Sequence, residues 1–402
     1  MSGNGSRIES RIGNGRETGS PPREQEGPSR ASPGARDETP EDACPSCLRR
    51  ARLLTTCAVR LDFRSRDLTR FWDLLALPDR QLIDAIGGRR RAELHAAYDK
   101  LDPAMPEGAQ TICRHHPAYP SRMRNSPLAP HMLSVAGGLP RLAGMLAGTV
   151  VAIVGAHRAT DYGMASARGL ARGLAAAGVT IASGLSEGIP LAVHSGALEA
   201  GGATVTLTAG GLDKCSPAHA RALYGRLVRD GCALSELPLG VPARAWSALA
   251  RARTLALLAG LVIVVEADTN PWELACAHLA QRLEVPVGAV PGRVSSPASR
   301  GCHELVIQGA TLIRDPQDAL DLLYGVGARE AGDPALPDRD LSGPLAATLE
   351  RIGAGHDTLE RLTATGGPRD ELLTSLLELE LRGLVVRGDG GRYVQSGVPP
   401  SH

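Results

Sequence analysis

The sequence predicts an α/β protein whose core is a parallel β-sheet covered by helices on both faces. Between residues 149 and 290, short apolar runs alternate with segments whose apolar residues recur at helical spacing. The runs are apolar throughout, which is typical of strands buried on both faces. The predicted strands are 149–155, 179–184, 203–209, 232–237, 261–267 and 285–290. Helices are predicted between them, near 162–177, 190–200, 217–230, 245–258 and 272–283.

The regions on either side of this core differ from it in composition and apolar spacing. Residues 1–42 hold almost no large apolar side chains and cannot bury enough surface to offset the entropy lost on ordering. The last region combines three helical patterns with a short hairpin, LVVRGDGGRYVQ, which is typical of a winged helix. The predicted organisation is a disordered tail (1–42), a helical domain (43–102), a turn-rich connector (103–148), the sheet core (149–324), a linker (325–344), a winged helix (345–394) and a C-terminal tail (395–402).

Composition and charge narrow the classes of function. The chain has 402 residues and a net charge of +1, so any site for a polyanion must be local. Aromatic residues make up 3% of the chain, which restricts base stacking to few positions. No apolar run approaches the length of a transmembrane helix, and the eight cysteines are scattered, which fits reduced cytoplasmic thiols. We expect a cytoplasmic protein with no membrane partner.

The segment VVAIVGAHRATDYG, Val150–Gly163, has the pattern of a phosphate-binding loop: an apolar strand, a glycine and a helix start. A dinucleotide fold needs G-x-G-x-x-G here and an acidic residue ending the second strand, where this chain has Ser183-Gly184. The ATP motif G-x-x-x-x-G-K-[ST] does not occur either. We expect three strand ends to offer anion-binding N–H groups at helix N-termini, namely Gly155–Arg158, Ser183–Gly188 and Ala209–Lys214.

Two short motifs hold residue types that bind zinc. Cys44-x-x-Cys47 begins the helical region, and Cys113-x-His115-His116 lies in the connector, with His115 as the expected histidine ligand. Three thiols and an imidazole form a ligand set found in structural zinc sites. The separation of the two halves is not diagnostic, and reduced structural thiols are the alternative. We expect that no cofactor is required for function and that a structural zinc is the only candidate.

Eight further motifs follow one another along the core. In order they are VGAHRATDYG (154–163), SGLSEGIPLAVHSGAL (183–198), GLDKCSP (211–217), SE (235–236), RARTLA (251–256), IVVEA (263–267), VPG (290–292) and LVIQGA (305–310). Their order and spacing resemble the DNA-processing protein A family (DprA, also called Smf). The resemblance covers about residues 44–394 and is most specific over 150–313.

The resemblance implies an extended Rossmann-like core that binds single-stranded DNA without covalent chemistry. It also implies an N-terminal helical domain of the SAM or helix-hairpin-helix type and a C-terminal winged helix. Members of that family are homodimers that help load the RecA recombinase onto incoming strands in natural transformation, so we expect the same partners here. The residues expected to contact DNA are Gly155, His157, Arg158, Ser183, Gly184, Gly211, Lys214, Arg251 and Arg253. The last two lie two apart on a predicted helix, so we expect only one of them to reach a phosphate.

Several family positions differ in this chain. They are Glu187, Pro190, Ser216, Ala252, Pro271-Trp272-Glu273 and Gly301-Cys302-His303. These changes leave open a diverged paralogue with weaker DNA binding or a changed ligand. The alternative function is a Rossmann-like sensor or hydrolase of a small nucleotide. Hydrolysis is the less favoured of these, since the loop at 291–294 lacks the PGG-x-GT pattern of the related phosphoribohydrolases.

Two other features favour structural or regulatory roles. His194 lies in the middle of a largely apolar helical segment without a paired nucleophile, so we interpret it as a packed, hydrogen-bonded histidine. Residues 341–402 carry eight acidic and six arginine side chains. A duplex-reading helix needs a basic face, so we expect this region to contact protein rather than DNA.

Overall fold

The computed structural model describes residues 43–104, 108, 110–215, 217–331, 343–364, 366, 368–381, 384–387 and 391–395. The predicted tail at 1–42, most of the predicted linker and residues 396–402 lie outside this set. Ser216 and the turn at Asp389-Gly390 lie outside it as well.

A nine-stranded sheet forms the core, in the order β1-β2-β6-β5-β4-β3-β7-β8-β9. Its strands are β1 (Gln110–Cys113), β2 (Met132–Ala136), β3 (Val150–Gly155), β4 (Thr180–Gly184), β5 (Thr204–Thr208), β6 (Cys232–Ser235), β7 (Leu261–Val265), β8 (Val287–Ala289) and β9 (Thr311–Leu312). From β6 to β9 all neighbours are parallel, whereas β2 pairs antiparallel with both β1 and β6. The α/β class and all six predicted strands are confirmed.

The N-terminal region is helical, as predicted. Its helices are α1 (Pro45–Thr56), α2 (Ala58–Arg64), α3 (Leu68–Ala76), α4 (Asp79–Gly87) and α5 (Arg91–Asp99), with a 3₁₀ turn at Gly88–Arg90. Leu61, Phe71 and Leu82 are buried in the same apolar cluster as strand and helix residues of the core, including Trp246. The helical region therefore packs on the sheet core and shares its hydrophobic interior.

The segment 103–148, predicted as a turn-rich connector, contributes to the sheet itself. It holds β1, β2, the short α6 (Ser121–Arg124) and α7 (Leu139–Ala147). Residues Met132 to Val135 of β2 are buried, and β2 pairs with β6 through Ser134↔Ser235 and Val135↔Leu234. No strand is predicted here from the sequence, whereas β2 pairs antiparallel with both β1 and the distant β6, which orders these four- and five-residue segments.

Helices cover both faces of the sheet, as the continuous apolar strands predict. They are α8 (Asp161–Ala176), α9 (Ile189–Glu199), α10 (Arg221–Asp230), α11 (Ala245–Leu258), α12 (Ala275–Arg282), α13 (Arg300–Ile307) and α14 (Pro316–Tyr324). Short 3₁₀ turns occur at Ala218–Ala220 and Pro297–Ser299. Along β3, Val151 and Ile153 pack with α8 and α9, whereas Val150 and Ala152 belong to the cluster that contains α11. This alternation follows from the two-residue period of a strand.

The strand order places a ligand crevice next to β3. The chain passes from β3 to β4 on one side, while β7 pairs with the other side of β3. Connections that leave two adjacent parallel strands in opposite directions open a crevice outside their carboxyl ends. The loops after β3, β4 and β7 meet at that edge.

The C-terminal region contains the predicted helices and hairpin. They are α15 (Pro344–Gly353), α16 (Leu359–Ala364), α17 (Arg369–Leu381), β10 (Val385–Arg387) and β11 (Tyr393–Gln395). The two strands pair antiparallel, and Ile352, Leu362, Leu372 and Tyr393 are buried in a cluster of this region's own. Its assignment as a winged helix stays a prediction.

Candidate nucleic-acid interface

A cleft of about 390 Å³ opens at the carboxyl edge of the sheet. Its walls come from the ends of β3 and β4, one side of α11 and the loop that follows β7. Of the residues expected to contact DNA, those that line this cleft are Gly155, His157, Arg158, Gly184 and Arg251. The cleft therefore lies where the strand order places a ligand crevice.

Arg251 of α11 is the cation built into the cleft wall. Burial lowers the pKa of Arg251, and only the nearby Cys276 acts in the opposite direction. Its buried Nε has no hydrogen-bond partner among the described residues. The side chain is half-buried, and an arginine stays protonated, so a partly desolvated guanidinium without a partner favours an anionic ligand.

Glycine at position 184 is what allows Arg251 to lie in the cleft. A Cβ atom at Gly184 would lie 2.9 Å from the Cζ atom and 3.0 Å from the Nη1 atom of Arg251. Any larger residue at the end of β4 would push the guanidinium away. Gly184 therefore acts by making room for the cation as well as by shaping the strand end.

His157 and Arg158 lie on the loop between β3 and α8, and both are exposed. Arg158 forms no ion pair with any described residue. Partial desolvation by the cleft wall and then the charge of Arg251 lower the pKa of His157, while Glu273 and Glu187 oppose that shift. The imidazole is therefore mostly neutral at pH 7 and can donate or accept a hydrogen bond.

Trp272, in the loop after β7, is a cleft residue that sequence reasoning counted only as a departure from the family pattern. It is 37% exposed, and its backbone N–H donates to Oδ1 of Asn270 at 3.0 Å. An exposed indole beside a cation offers a surface on which a base can stack. The sequence did hold a signal for this residue. Aromatic residues are rare in this chain, and Trp272 follows a predicted strand whose carboxyl end lies at the ligand-binding edge of a parallel sheet.

Ser186 is a second residue that was not singled out. Its side chain is 8% exposed and lines the cleft, and its Oγ atom has no hydrogen-bond partner within the described part of the chain. Buried hydroxyl groups are normally hydrogen-bonded. Ser186 therefore leaves a polar group available to a ligand in the same space as Arg251.

Acidic residues also reach the rim of the cleft. Glu273 lines it and accepts a hydrogen bond from the backbone N–H of Asp268 at 3.1 Å. Glu187 is exposed, with its carboxylate 3.9 Å from Nδ1 of His219. Neither carboxylate forms an ion pair with Arg251 or Arg158 among the described residues. The cleft thus carries both signs of charge while its two arginines stay unpaired.

The N-terminus of α8 binds a carboxylate of the chain itself. Thr160 caps this helix, and its backbone N–H donates to Oε2 of Glu266 at 2.8 Å. The Thr160 hydroxyl donates to the other oxygen of the same carboxylate. Glu266 therefore takes the Thr160 N–H at the start of α8, whereas anion binding by the N–H groups of Gly155–Arg158, just before it, stays a prediction.

Gly155 has a structural reason to be glycine. A Cβ atom at this position would lie 1.8 Å from the carbonyl oxygen of Val265 on the neighbouring strand β7. The glycine is therefore needed for the close passage of β3 and β7, whether or not an anion binds nearby.

Four expected contact residues do not line the cleft. Ser183 is buried and donates its hydroxyl to the carbonyl of Ile153 at 2.6 Å. Gly211 donates its N–H to Val241, and the Lys214 ammonium lies 3.3 Å from Asp213. Arg253 is 3% exposed and forms a buried ion pair with Glu236. Of the two arginines on α11, only Arg251 faces the cleft.

His194 is a packed histidine, as predicted. It is fully buried, with Nδ1 2.9 Å from Oγ1 of Thr204 and Nε2 3.1 Å from the carbonyl oxygen of Gly184. Burial lowers the pKa of His194 to about 4, although hydrogen bonds to Gly184 and Ser183 oppose this. It supports the end of β4 from behind the cleft.

The residues predicted to bind zinc meet in a separate place. One ligand atom from each of Cys44, Cys47, Cys113 and His115 lies within 4.8 Å of all the others. None of these residues lines the cleft.

Comparison with known proteins assigns the family. The family model described as DNA recombination-mediator protein A matches residues 110–324. The chain belongs to this family. Protein Smf of Escherichia coli K12 is 34% identical over 252 residues, which cover 61% of this chain and 67% of that protein. A Mycobacterium tuberculosis H37Rv relative, provisionally named DNA processing protein DprA, is 32% identical over 335 residues, covering 77% and 82%.

A solved structure agrees with the family assignment. The crystal structure of DNA processing protein A from Streptococcus pneumoniae aligns with a TM-score of 0.57 and 26% sequence identity. The alignment covers 70% of this chain and 99% of that one. The resemblance found in the motifs is thereby confirmed, and DNA processing is the class of function to which the chain belongs. Among the described residues, no helix is both long and apolar enough to cross a membrane.

Proposed function

We propose that the chain binds single-stranded DNA, with a phosphate at Arg251 and the adjacent base on Trp272. The observation that carries this proposal is the unpaired Arg251, which is desolvated beside an unpartnered Ser186 hydroxyl. A phosphate oxygen supplies the anionic acceptor that both groups lack. Exposed Arg158 adds a second cation at the mouth of the same cleft.

The size of the cleft favours a single strand over a duplex. A volume of about 390 Å³ lies in the range of small-ligand sites, so it admits one nucleotide of a strand at a time. A base can reach the Trp272 ring only if it is unstacked from a neighbour, which costs less in a single strand than in a duplex. Contacts to phosphate and to a base face carry no sequence code, so we expect binding without sequence preference.

The biological setting follows from the family. We place the chain in the cytoplasm, where as a homodimer it passes the strand to the RecA recombinase in recombination or natural transformation. Its role is binding without covalent catalysis, and no cofactor takes part in the DNA contact. Family membership supports the role in DNA processing, and the other points belong to the proposal.

A titration of labelled oligo-dT at two salt concentrations tests DNA binding. Each phosphate contact should lower log affinity by about 0.7 per decade of salt, so two arginine contacts give a slope near −1.4. Affinity that does not respond to salt, or no binding at micromolar protein, contradicts the proposal.

Tryptophan fluorescence tests the stacking contact. The chain has three tryptophans, and Trp72 and Trp246 are buried, so quenching by oligo-dT should come from Trp272. Trp272→Ala should weaken binding by about 1–3 kcal/mol, whereas Trp272→Phe keeps a ring and should retain most of the affinity. Quenching that persists in Trp272→Phe would place the base elsewhere.

The cleft volume also supports a second candidate, a sensor of a small nucleotide. The same arginine and tryptophan would hold one mononucleotide instead of a strand. Thermal shift against a panel of nucleotides separates the two candidates. Stabilisation by a mononucleotide but not by oligo-dT favours the sensor, and the opposite result favours DNA binding.

A further inference from the structure

Three thiols and an imidazole come together where the N-terminal helices meet the edge of the sheet. Cys44 is the N-cap of α1, and Cys47 lies in its first turn. Cys113 is the last residue of β1, the outermost strand, and His115 follows two residues later. The chain between Cys47 and Cys113 spans 66 positions, so the fold rather than local sequence brings the two halves together.

The distances fit a single tetrahedral ion. Nδ1 of His115 lies 3.4 Å from Sγ of Cys44, 3.6 Å from Sγ of Cys47 and 3.8 Å from Sγ of Cys113. Zinc bonds of about 2.3 Å to sulfur and about 2.0 Å to nitrogen give a sulfur–nitrogen edge of about 3.5 Å in a regular tetrahedron. The three observed nitrogen–sulfur distances bracket that edge, and all four donor atoms lie within 4.8 Å of one another, so the group is compact enough for one ion.

The donor atoms of this group favour zinc over other metal ions. Thiolate and imidazole are soft or intermediate donors that suit zinc, whereas calcium and magnesium take oxygen ligands. A two-iron cluster divides its protein ligands between two metal ions and therefore needs wider spacing than this group offers. All eight cysteines of the chain are reduced thiols in the structure, these three included.

The surroundings are those of a closed site. Ala43, Ala51 and Met132 are buried around the thiols of Cys47 and Cys113. The backbone N–H of Cys44 lies 3.4 Å from Sγ of Cys113 and donates to it. Four protein ligands leave no position for water or substrate, which is the mark of a structural rather than a catalytic zinc.

We propose that Cys44, Cys47, Cys113 and His115 bind one structural zinc ion that fastens α1 to the edge strand β1. β1 has four residues and pairs only with β2 among the described strands, so it has few hydrogen bonds of its own. The ion closes a long loop of the chain and removes conformations from the unfolded state. It stabilises the junction of helices and sheet and does not depend on the DNA-binding proposal.

Metal analysis of the full-length protein, purified under reducing conditions without chelator, tests this site. We expect one zinc per chain by elemental analysis. Cobalt(II) added to the demetallated protein should give the intense visible bands of tetrahedral thiolate coordination. Chelator should lower the melting temperature, and added zinc should restore it.

Matched variants assign the ion to these residues. His115→Ala should lose most of the bound zinc, whereas His115→Cys replaces the imidazole with a fourth thiolate and should retain it. Since His115 is exposed, these variants are expected to fold, and circular dichroism checks this. Cys215→Ser, at a partly exposed cysteine outside the group, is the control and should keep one zinc per chain.

Any of three results would overturn the proposal. One is reduced, zinc-supplemented protein that carries no stoichiometric metal while its circular dichroism shows a folded chain. Another is zinc content that stays at one per chain in both His115→Ala and Cys113→Ser. A disulfide between Cys44 and Cys47 that survives mild reduction would also count against it.

Discussion

Arg251 and Arg253 lie two residues apart on α11 and occupy opposite electrostatic environments. Arg251 faces the cleft and forms no ion pair with any of the described residues. Arg253 is 3% exposed and pairs with Glu236, whose other oxygen accepts a hydrogen bond from Thr254. Residues two apart point to opposite sides of a helix, so one motif supplies a cation to each side. Which of them can bind a ligand depends on whether the fold already provides a carboxylate.

The side of α11 that carries Arg253 faces the junction with the N-terminal helices. Arg50 is 2% exposed, lies 2.8 Å from Asp79 and donates to the carbonyl of Leu75 at 2.7 Å. His131 and Arg253 border the same small cavity as Arg50. In this network both buried arginines have a carboxylate partner, although their Nε atoms make no hydrogen bond with described residues, whereas Arg251 in the cleft has no carboxylate partner among them.

The largest expected effect is on stability, from Arg253→Ala. The change leaves the Glu236 carboxylate buried without its counter-charge, which should lower the free energy of unfolding by about 3–5 kcal/mol. Urea denaturation measures this. Arg251→Ala is the matched comparison and should change stability little, because it removes a charge that has no partner. Equal destabilisation by both variants would show that the two arginines do not differ in the way described.

The next effect is on DNA binding, from Arg251→Ala. Loss of hydrogen bonds to a charged group should weaken oligo-dT binding by about 1.5–3 kcal/mol, or roughly 10- to 150-fold. Arg229→Ala removes an exposed arginine that pairs with Asp230 and should leave affinity unchanged. If both variants lose the same amount, the cleft is not the binding site.

Much of the fold follows from the sequence because buried parallel strands leave a simple pattern. The six apolar runs predicted as strands are β3 to β8. β1 and β2 were missed, since QTIC and MLSVA are too short to show a period and lie among prolines and turns. Their pairing depends on β6, about 100 residues further along the chain.

The site was only partly predictable, because partners are set by tertiary structure. Residue type and spacing indicate arginines at 251 and 253, yet only the fold shows that Glu236 neutralises one of them. The carboxylate of Glu266 looks like part of a strand motif in sequence, whereas in space it caps α8 where a phosphate was expected. The position of Trp272 after a strand end was enough to predict it as a binding residue, but the family pattern indicates it only as a departure.

The pH dependence of stability tests the buried network through His131, which borders the same small cavity as Arg50 and Arg253. Burial and then Arg50 lower the pKa of His131 to about 3, with a smaller opposing contribution from Asp79. The unfolded chain, with a histidine pKa near 6.5, therefore takes up the proton first as pH falls. Stability is retained above about pH 6.5 and should fall by about 2 kcal/mol between pH 7 and pH 5 from this group.

His131→Gln should remove that share of the pH dependence. His194, whose pKa burial lowers to about 4, contributes a similar share in the same direction, so the variant should still lose stability but about 2 kcal/mol less than the wild type. Urea denaturation at pH 7 and pH 5 measures the difference, with His219→Gln as the exposed control. An unchanged loss in His131→Gln would mean that His131 is protonated in the folded state.

The smallest effect on oligo-dT affinity is expected from Arg158→Ala. This variant removes an exposed cation, whereas Arg251→Ala removes a partly desolvated one. An exposed arginine contributes at most about 1 kcal/mol to an ion pair, so affinity should fall by less than roughly tenfold. Each arginine neutralises one phosphate, so both variants should reduce the salt slope of oligo-dT binding by about 0.7. If the two variants change the salt slope equally but Arg251→Ala loses more affinity, the extra loss comes from the desolvation of Arg251 and not from its charge alone. A slope that is unchanged in Arg158→Ala would place the strand away from the loop after β3.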